Sequence, residues 1–292
     1  MRLGEIGGII MQFSASRAFT EAFQLLGARF GMLVGIWLTF FVGIIAVIVA
    51  FGGVFFSVMQ MSLGGGGGLT PGQNPLAGMG FSVFIFYILY FLVIFAQQIA
   101  LSRASTGRAE DTYGVALGAG LRGALPMLGV MLLYLIAGIG GGFVIGLIFA
   151  GLLAATQSAV VSFLLGLVTL LAFFYLFARL SLLLPIVAID EVRNPLAAIG
   201  RAWKLTAGNS VKIALTWALV LIAMIALYSV VFLVTVGMPG PGTVANPMAS
   251  IGFFIAMIVM GLTVGLYLVT LTTAIYDQLS PSSAEQTAVT FD

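Results

Sequence analysis

Residues 123–178 read GALPMLGVMLLYLIAGIGGGFVIGLIFAGLLAATQSAVVSFLLGLVTLLAFFYLFA, 56 positions without one charged side chain. A single helical crossing of a bilayer takes about 20 apolar residues. The stretch therefore holds two crossings, with the polar break Ala154–Ser158 as the turn between them. Strands of a membrane barrel are excluded, because the runs lack two-residue alternation and are too long. Working outward, two more charge-free stretches have the same capacity: 30–102, of 73 residues, and 213–276, of 64. Each carries its own turn-forming segment. The first is Gln60–Gly80, with the Gly64–Gly68 run, Pro71 and Pro75; the second is Gly237–Met248, reading GMPGPGTVANPM. The expected fold is an all-α membrane protein of six transmembrane helices in three hairpins. The spans are placed near 30–59, 81–102, 124–153, 159–184, 211–236 and 249–276.

Composition agrees. Of 292 residues, 61% are hydrophobic and 7% charged, and the mean hydropathy is +1.21. Soluble domains carry about 25% charged residues. The chain has no Cys and no His. Disulfides, thiolate chemistry, imidazole bases and the usual zinc, haem and iron–sulfur sites are excluded on that ground. A net charge of +2 gives no reason to expect nucleic acid as a partner.

The basic residues gather near the start (Arg2, Arg17, Arg29), at Arg103, Arg108 and Arg122, at Arg179, and at Arg193, Arg201, Lys204 and Lys212. The turns inside the hairpins carry no charge, while the connections between hairpins carry nearly all of it. The positive-inside rule then puts both termini and the charged connections in the cytoplasm.

The chain repeats itself. At an offset of 180, Ala22, Phe23, Leu25, Leu33 and Trp37 meet Ala202, Trp203, Leu205, Ile213 and Trp217. At an offset of 172, NPLAGMGF (74–81) meets NPMASIGF (246–253). A single polytopic domain of three parallel units is expected, near 14–108, 109–190 and 191–279, with a cytoplasmic tail at 280–292. Each unit opens on a short amphipathic segment read as an interfacial elbow helix. In the first, Ser14 is the expected cap and Phe19, Ala22, Phe23 and Leu26 share a face. The second, Asp111–Arg122, is glycine-rich and weak. In the third, Asn194–Pro195 starts a helix with Leu196, Ile199 and Trp203 on one side, and Gly208 stops it. Such helices lie in the interface plane with basic groups toward phosphates. Arg17, Arg29, Arg201, Trp203 and Lys204 are the expected headgroup contacts.

Two further patterns bear on function. Small residues recur every fourth position at Gly27, Gly31 and Gly35, and at Gly138, Gly142 and Gly146. Such ladders let helices approach closely; packing inside the monomer is the plainer expectation and a homodimer seam the sharper one. Polar groups within spans are few, and they mark functional candidates. Gln97, Gln98, Arg179 and Asp277 lie at the cytoplasmic ends of the even-numbered spans, where an Arg179–Asp277 pair is expected, with snorkelling of the arginine to a lipid phosphate as the alternative. The remaining carboxylates lie in terminal segments or connections. Asp190 and Glu191, being adjacent, cannot face each other across a substrate. No catalytic, cofactor or metal set is expected.

The stretch RLSLLLPIVAIDEVRNPLAAIGRAWKLTAGN (179–209) resembles the membrane domain attached to some bacterial glycerophosphodiester phosphodiesterases, and is similar to the YciC-like six-span inner-membrane proteins. Arg179–Leu180–Ser181, Leu184–Pro185, Pro195–Leu196, Trp203–Lys204–Leu205–Thr206 and Gly208–Asn209 carry the likeness. The resemblance implies a bacterial plasma membrane and the six-span fold. It brings no catalytic residue, since phosphodiesterase activity in such fusions belongs to a soluble domain with histidine and carboxylate ligands. The expected function is a non-enzymatic, lipid-associated scaffold or accessory subunit, with anionic lipids, a protein partner or a second copy as partners. A small-molecule or lipid transporter is the rival.

Overall fold

A computed structural model describes residues 13–53, 75–236 and 247–280, and the side chains of 13–53, 81–233 and 255–280. Most of the two charge-free turns at Gln60–Gly80 and Gly237–Met248, and the tail from 281 onward, lie outside the described residues. Eight helices run through the described chain: α1 (Ala15–Ala50), α2 (Pro75–Ala104), α3 (Tyr113–Thr156), α4 (Ala159–Leu180), α5 (Leu183–Ile189), α6 (Pro195–Leu205), α7 (Ser210–Val236) and α8 (Pro247–Leu279). Six segments are long and apolar enough to cross a membrane: Ala15–Ala50, Phe81–Ala104, Tyr113–Thr156, Ala159–Ile189, Ser210–Leu233 and Ile255–Leu279. The chain is an integral, multi-pass membrane protein.

The elbows part company with expectation. Only the third is a helix of its own. Asn194 accepts hydrogen bonds from the amides of Leu196 (3.0 Å) and Ala197 (3.4 Å), and Pro195 occupies the first turn where no amide partner is needed. Gly208, at φ +80°, takes the left-handed conformation that lets the chain turn from α6 into α7. The first and second elbows are instead the opening turns of unbroken helices. α1 has 36 residues and α3 has 44, about 54 and 66 Å at 1.5 Å per residue. Both are longer than the roughly 30 Å hydrocarbon thickness a span must cover. Ser14 makes no side-chain cap; its amide donates to Gln278 Oε1 at 3.2 Å. Proline in mid-helix removes a ladder bond, yet Pro126 lies inside α3 without ending it.

α5 was not anticipated as an element. Leu183, Pro185, Ile186, Val187, Ala188 and Ile189 are all buried, and a helix apolar all round belongs inside. It is a plug among the helix ends, in contact with α2, α3, α6 and α8.

Neighbours in space differ from neighbours in sequence. α1 packs on α2 and α8; α3 packs chiefly on α2, and α4 chiefly on α7. The arms of the second and third hairpins diverge, leaving apolar clefts. One, about 480 Å³, lies between α3 and α4 against Phe149, Leu165 and Phe173. The other, about 310 Å³, lies between α7, α8 and the start of α1 against Phe23, Met224 and Tyr267. The outer shafts are bare: Ile139, Phe143, Phe163 and Phe173 are each at least 66% exposed. Lipid tails, as apolar as these side chains, solvate such surfaces without cost. The packed core sits at the opposite end. Alanines 18, 22, 178, 188, 198 and 202 are fully buried there, letting helices close on Leu182, Ile186, Ile275 and Tyr276.

Candidate functional site

Charged and hydrogen-bonding side chains tie the converging helix ends into one plate. Its most enclosed pair is Arg103–Asp111: Nε meets Oδ1 at 2.5 Å, and the carboxylate side chain has no exposed surface. The Thr106 hydroxyl donates to the other carboxylate oxygen. Arg103 Nη1 donates to the carbonyls of Ala188 (3.3 Å) and Ile189 (3.2 Å), capping the end of α5. One arginine thus joins α2, the α2–α3 connection and the plug. Arg29 does similar work from α1, with Nη2 donating to the Arg108 carbonyl at 2.7 Å and Nη1 to that of Asp111 at 3.3 Å.

Asp190, just past α5, takes Arg201 Nε at 2.6 Å on one oxygen and the Tyr276 hydroxyl at 2.5 Å on the other. That carboxylate links α6 to α8. Glu21 takes Arg17 Nε at 2.6 Å and Gln278 Nε2 at 2.9 Å, linking the start of α1 to the end of α8. The hydroxyls of Ser105 and Thr273, 2.7 Å apart and buried, join the turn just past α2 to α8.

The expected Arg179–Asp277 pair does not form. Arg179 Nη1 donates to the Trp203 carbonyl (3.0 Å) and the Thr206 hydroxyl (3.4 Å), and Nε and Nη2 donate to the Tyr175 hydroxyl. Its guanidinium lies 4.5 Å from the centre of the Trp203 ring and 5.4 Å from that of Tyr175. The planar cation is held between rings, an arrangement lysine cannot copy. Asp277 is half-buried in the last turn of α8, with Arg108 and Glu21 as the charges acting on it. Gln97 is elsewhere again, buried on α2 and donating to the Trp37 carbonyl at 3.2 Å, with Gln98 half-buried beside it. Gln97 and Arg179, expected in one cluster, bond to separate elements.

The expected headgroup residues divide into two sets. Arg29 is consumed by carbonyls, and Arg17 and Arg201 by carboxylates, although the Arg17 side chain stays 72% exposed and that of Arg201 44%. On α6, Ala198 and Ala202 face inward, while Leu196, Arg201, Trp203 and Lys204 face out. The glycine ladders also divide. A Cβ added to Gly31, Gly138, Gly142 or Gly146 would meet nothing within 4 Å, and one on Gly35 would touch the Tyr113 ring at 3.3 Å. Close approach happens instead at Gly120, where a Cβ would lie 2.3 Å from the Ala96 carbonyl oxygen, at Gly123 against Ile99, and at Gly129 against Pro195. Fourfold spacing finds a small-residue face; it does not tell which part of that face another helix covers.

A pocket of about 280 Å³ opens beside the plate, walled on one side by Gly114, Gly118 and Arg122 of α3, and on the other by Val187, Glu191 and Arg193. Neither arginine had been selected from the sequence as a contact; both are exposed. The signal was the i, i+4 spacing of Gly114, Gly118 and Arg122, which puts two absent side chains and a cation on one helical face.

Comparisons with protein-family models, with curated proteins and with solved structures found no match. What the fold and the plate define is the class: a multi-pass integral membrane protein with six candidate spans.

Proposed function

We propose that this protein is a non-enzymatic, lipid-associated scaffold or accessory subunit of a bacterial plasma membrane complex, with both termini in the cytoplasm. The observation that carries this reading is the outward strip of α6. Trp203 is 42% exposed beside exposed Arg201 and Lys204, on a helix anchored from beneath by Ala198, Ala202 and Arg179. An aromatic ring flanked by cations on a fixed interfacial helix suits anionic headgroups. The likeness of residues 179–209 to the membrane domain of glycerophosphodiester phosphodiesterases supports the same end of the molecule as the shared functional surface. The apolar lining of the two shaft clefts supports lipid tails, rather than a polar solute, as what fills them.

Native mass spectrometry of the protein extracted with its surrounding membrane tests the proposal. Retained anionic phospholipid, reduced when Trp203→Ala and Lys204→Gln are combined, or a stoichiometric protein partner, is the expected outcome. A monomer emerging with neither would overturn it and turn attention to transport.

A further inference from the structure

The pocket between α3 and the α5–α6 connection brings two unengaged arginines to one concavity. Arg17, Arg29, Arg103, Arg179 and Arg201 are all engaged internally. Arg122 and Arg193 have no ion pair or hydrogen bond among the described residues, and both line this one concavity. Glu191 also lines it, but its carboxylate is drawn to Arg103 Nη1 at 4.0 Å. The pocket's own charges therefore sum to one positive. Two guanidinium forks facing a shared space match the oxygens of a phosphate group better than a point charge would.

Room is available because side chains are absent. A Cβ built on Gly114 or Gly118 meets nothing within 4 Å, so the α3 wall is open backbone for two turns before Arg122. A water molecule's share of the liquid is about 30 Å³. A space of about 280 Å³ takes a phosphate group together with the first atoms of the headgroup that carries it. Val115, Ala119 and Val187 add apolar lining.

We infer that this pocket binds the phosphate of an anionic phospholipid headgroup, gripped between Arg122 and Arg193. The inference rests on the reading that this end of the bundle lies at headgroup level, and it names a lipid site separate from the α6 strip. Glu191 opposes the phosphate and limits the affinity.

Titration of phosphatidylglycerol or phosphatidylcholine onto the detergent-solubilised full chain, read by native mass spectrometry, tests it, with inorganic phosphate as a parallel arm. Arg122→Gln and Arg193→Gln should each weaken phosphatidylglycerol binding on the order of tenfold, the loss of a charge-assisted pair. Gly118→Leu fills the pocket without touching its charges and should weaken binding as much while leaving the melting temperature unchanged or raised. Glu191→Gln should tighten it a few-fold. If all three weakening variants bind as the unaltered chain does while Trp203→Ala with Lys204→Gln releases the lipid, the pocket is not the site and the α6 reading survives. If inorganic phosphate binds through the same arginines and the lipid does not, the lipid assignment is overturned. If phosphatidylglycerol binds no better than phosphatidylcholine to the unaltered chain, the inference and the headgroup reading of this end fall together.

Discussion

Asp111 shows what a single residue does here. Its carboxylate is fully enclosed, and two donors from side chains, Arg103 and Thr106, surround it. Removing one partner of a buried pair strands the other charge and costs about 3–5 kcal/mol. Asp111→Asn should accordingly lower stability by that order, measured as denaturant unfolding in detergent micelles. The double variant Arg103→Met/Asp111→Asn should lose clearly less than the Arg103→Met and Asp111→Asn losses added together, because no stranded charge remains. Strict additivity would mean that the pair is not coupled. Asp190 with Arg201 is a milder case, since the arginine side chain is 44% exposed and water screens the interaction.

Among the elements, α3 carries the sharpest contrast. The same amino acid sits at Gly120, pressed on the backbone of α2, and at Gly142, in open space. Gly120→Ala forces the two helices apart and should destabilise by about 1–3 kcal/mol, as overpacking does. Gly142→Ala adds helix propensity worth up to about 1 kcal/mol and should leave melting unchanged or raised. Circular dichroism melts of the two variants in the same micelle make the comparison. Equal losses would mean that Gly142 meets a partner, most simply a second copy. α6 was legible in sequence down to its cap because Asn194, Pro195 and Gly208 act locally, through their own backbone. α5 was not, because a run of seven apolar residues looks like the end of the preceding span until the burial around it is known.

For the whole molecule, the question is which way the plate faces. The positive-inside asymmetry predicts a cytoplasmic plate and an outer α3–α4 turn. The chain has no native cysteine, so single introduced thiols report cleanly. Ala207→Cys, exposed between α6 and α7, should react with an impermeant maleimide only from the cytoplasmic side. Ala155→Cys, exposed at the end of α3, should react only from outside. Labelling of both from one face would overturn the orientation. The architecture gives the two ends different cohesion. A buried ion pair, side-chain hydrogen bonds and alanine-mediated contacts join the plate, whereas apolar clefts separate the shafts of the outer hairpins. Helices in lipid lack a hydrophobic drive to associate, so cohesion falls to close packing and polar bonds, and both are concentrated at the plate.

The sequence by itself determined the number of spans and their approximate places, because crossing a bilayer is a demand on about 20 consecutive residues and is met or failed locally. It also determined the cap and stop of α6. Tertiary structure decided the rest. Opening turns read as separate elbows continue α1 and α3, since no local breaker intervenes and neighbours hold them. Arg179 went to Trp203 rather than to Asp277, and Arg29 was consumed by carbonyls from the α2–α3 connection, 79 and 82 positions away. Arg122 and Arg193, unengaged among the described residues, were brought to one pocket. Which cations remain available depends on partners supplied by distant segments, and that is a property of the folded arrangement rather than of any stretch of chain.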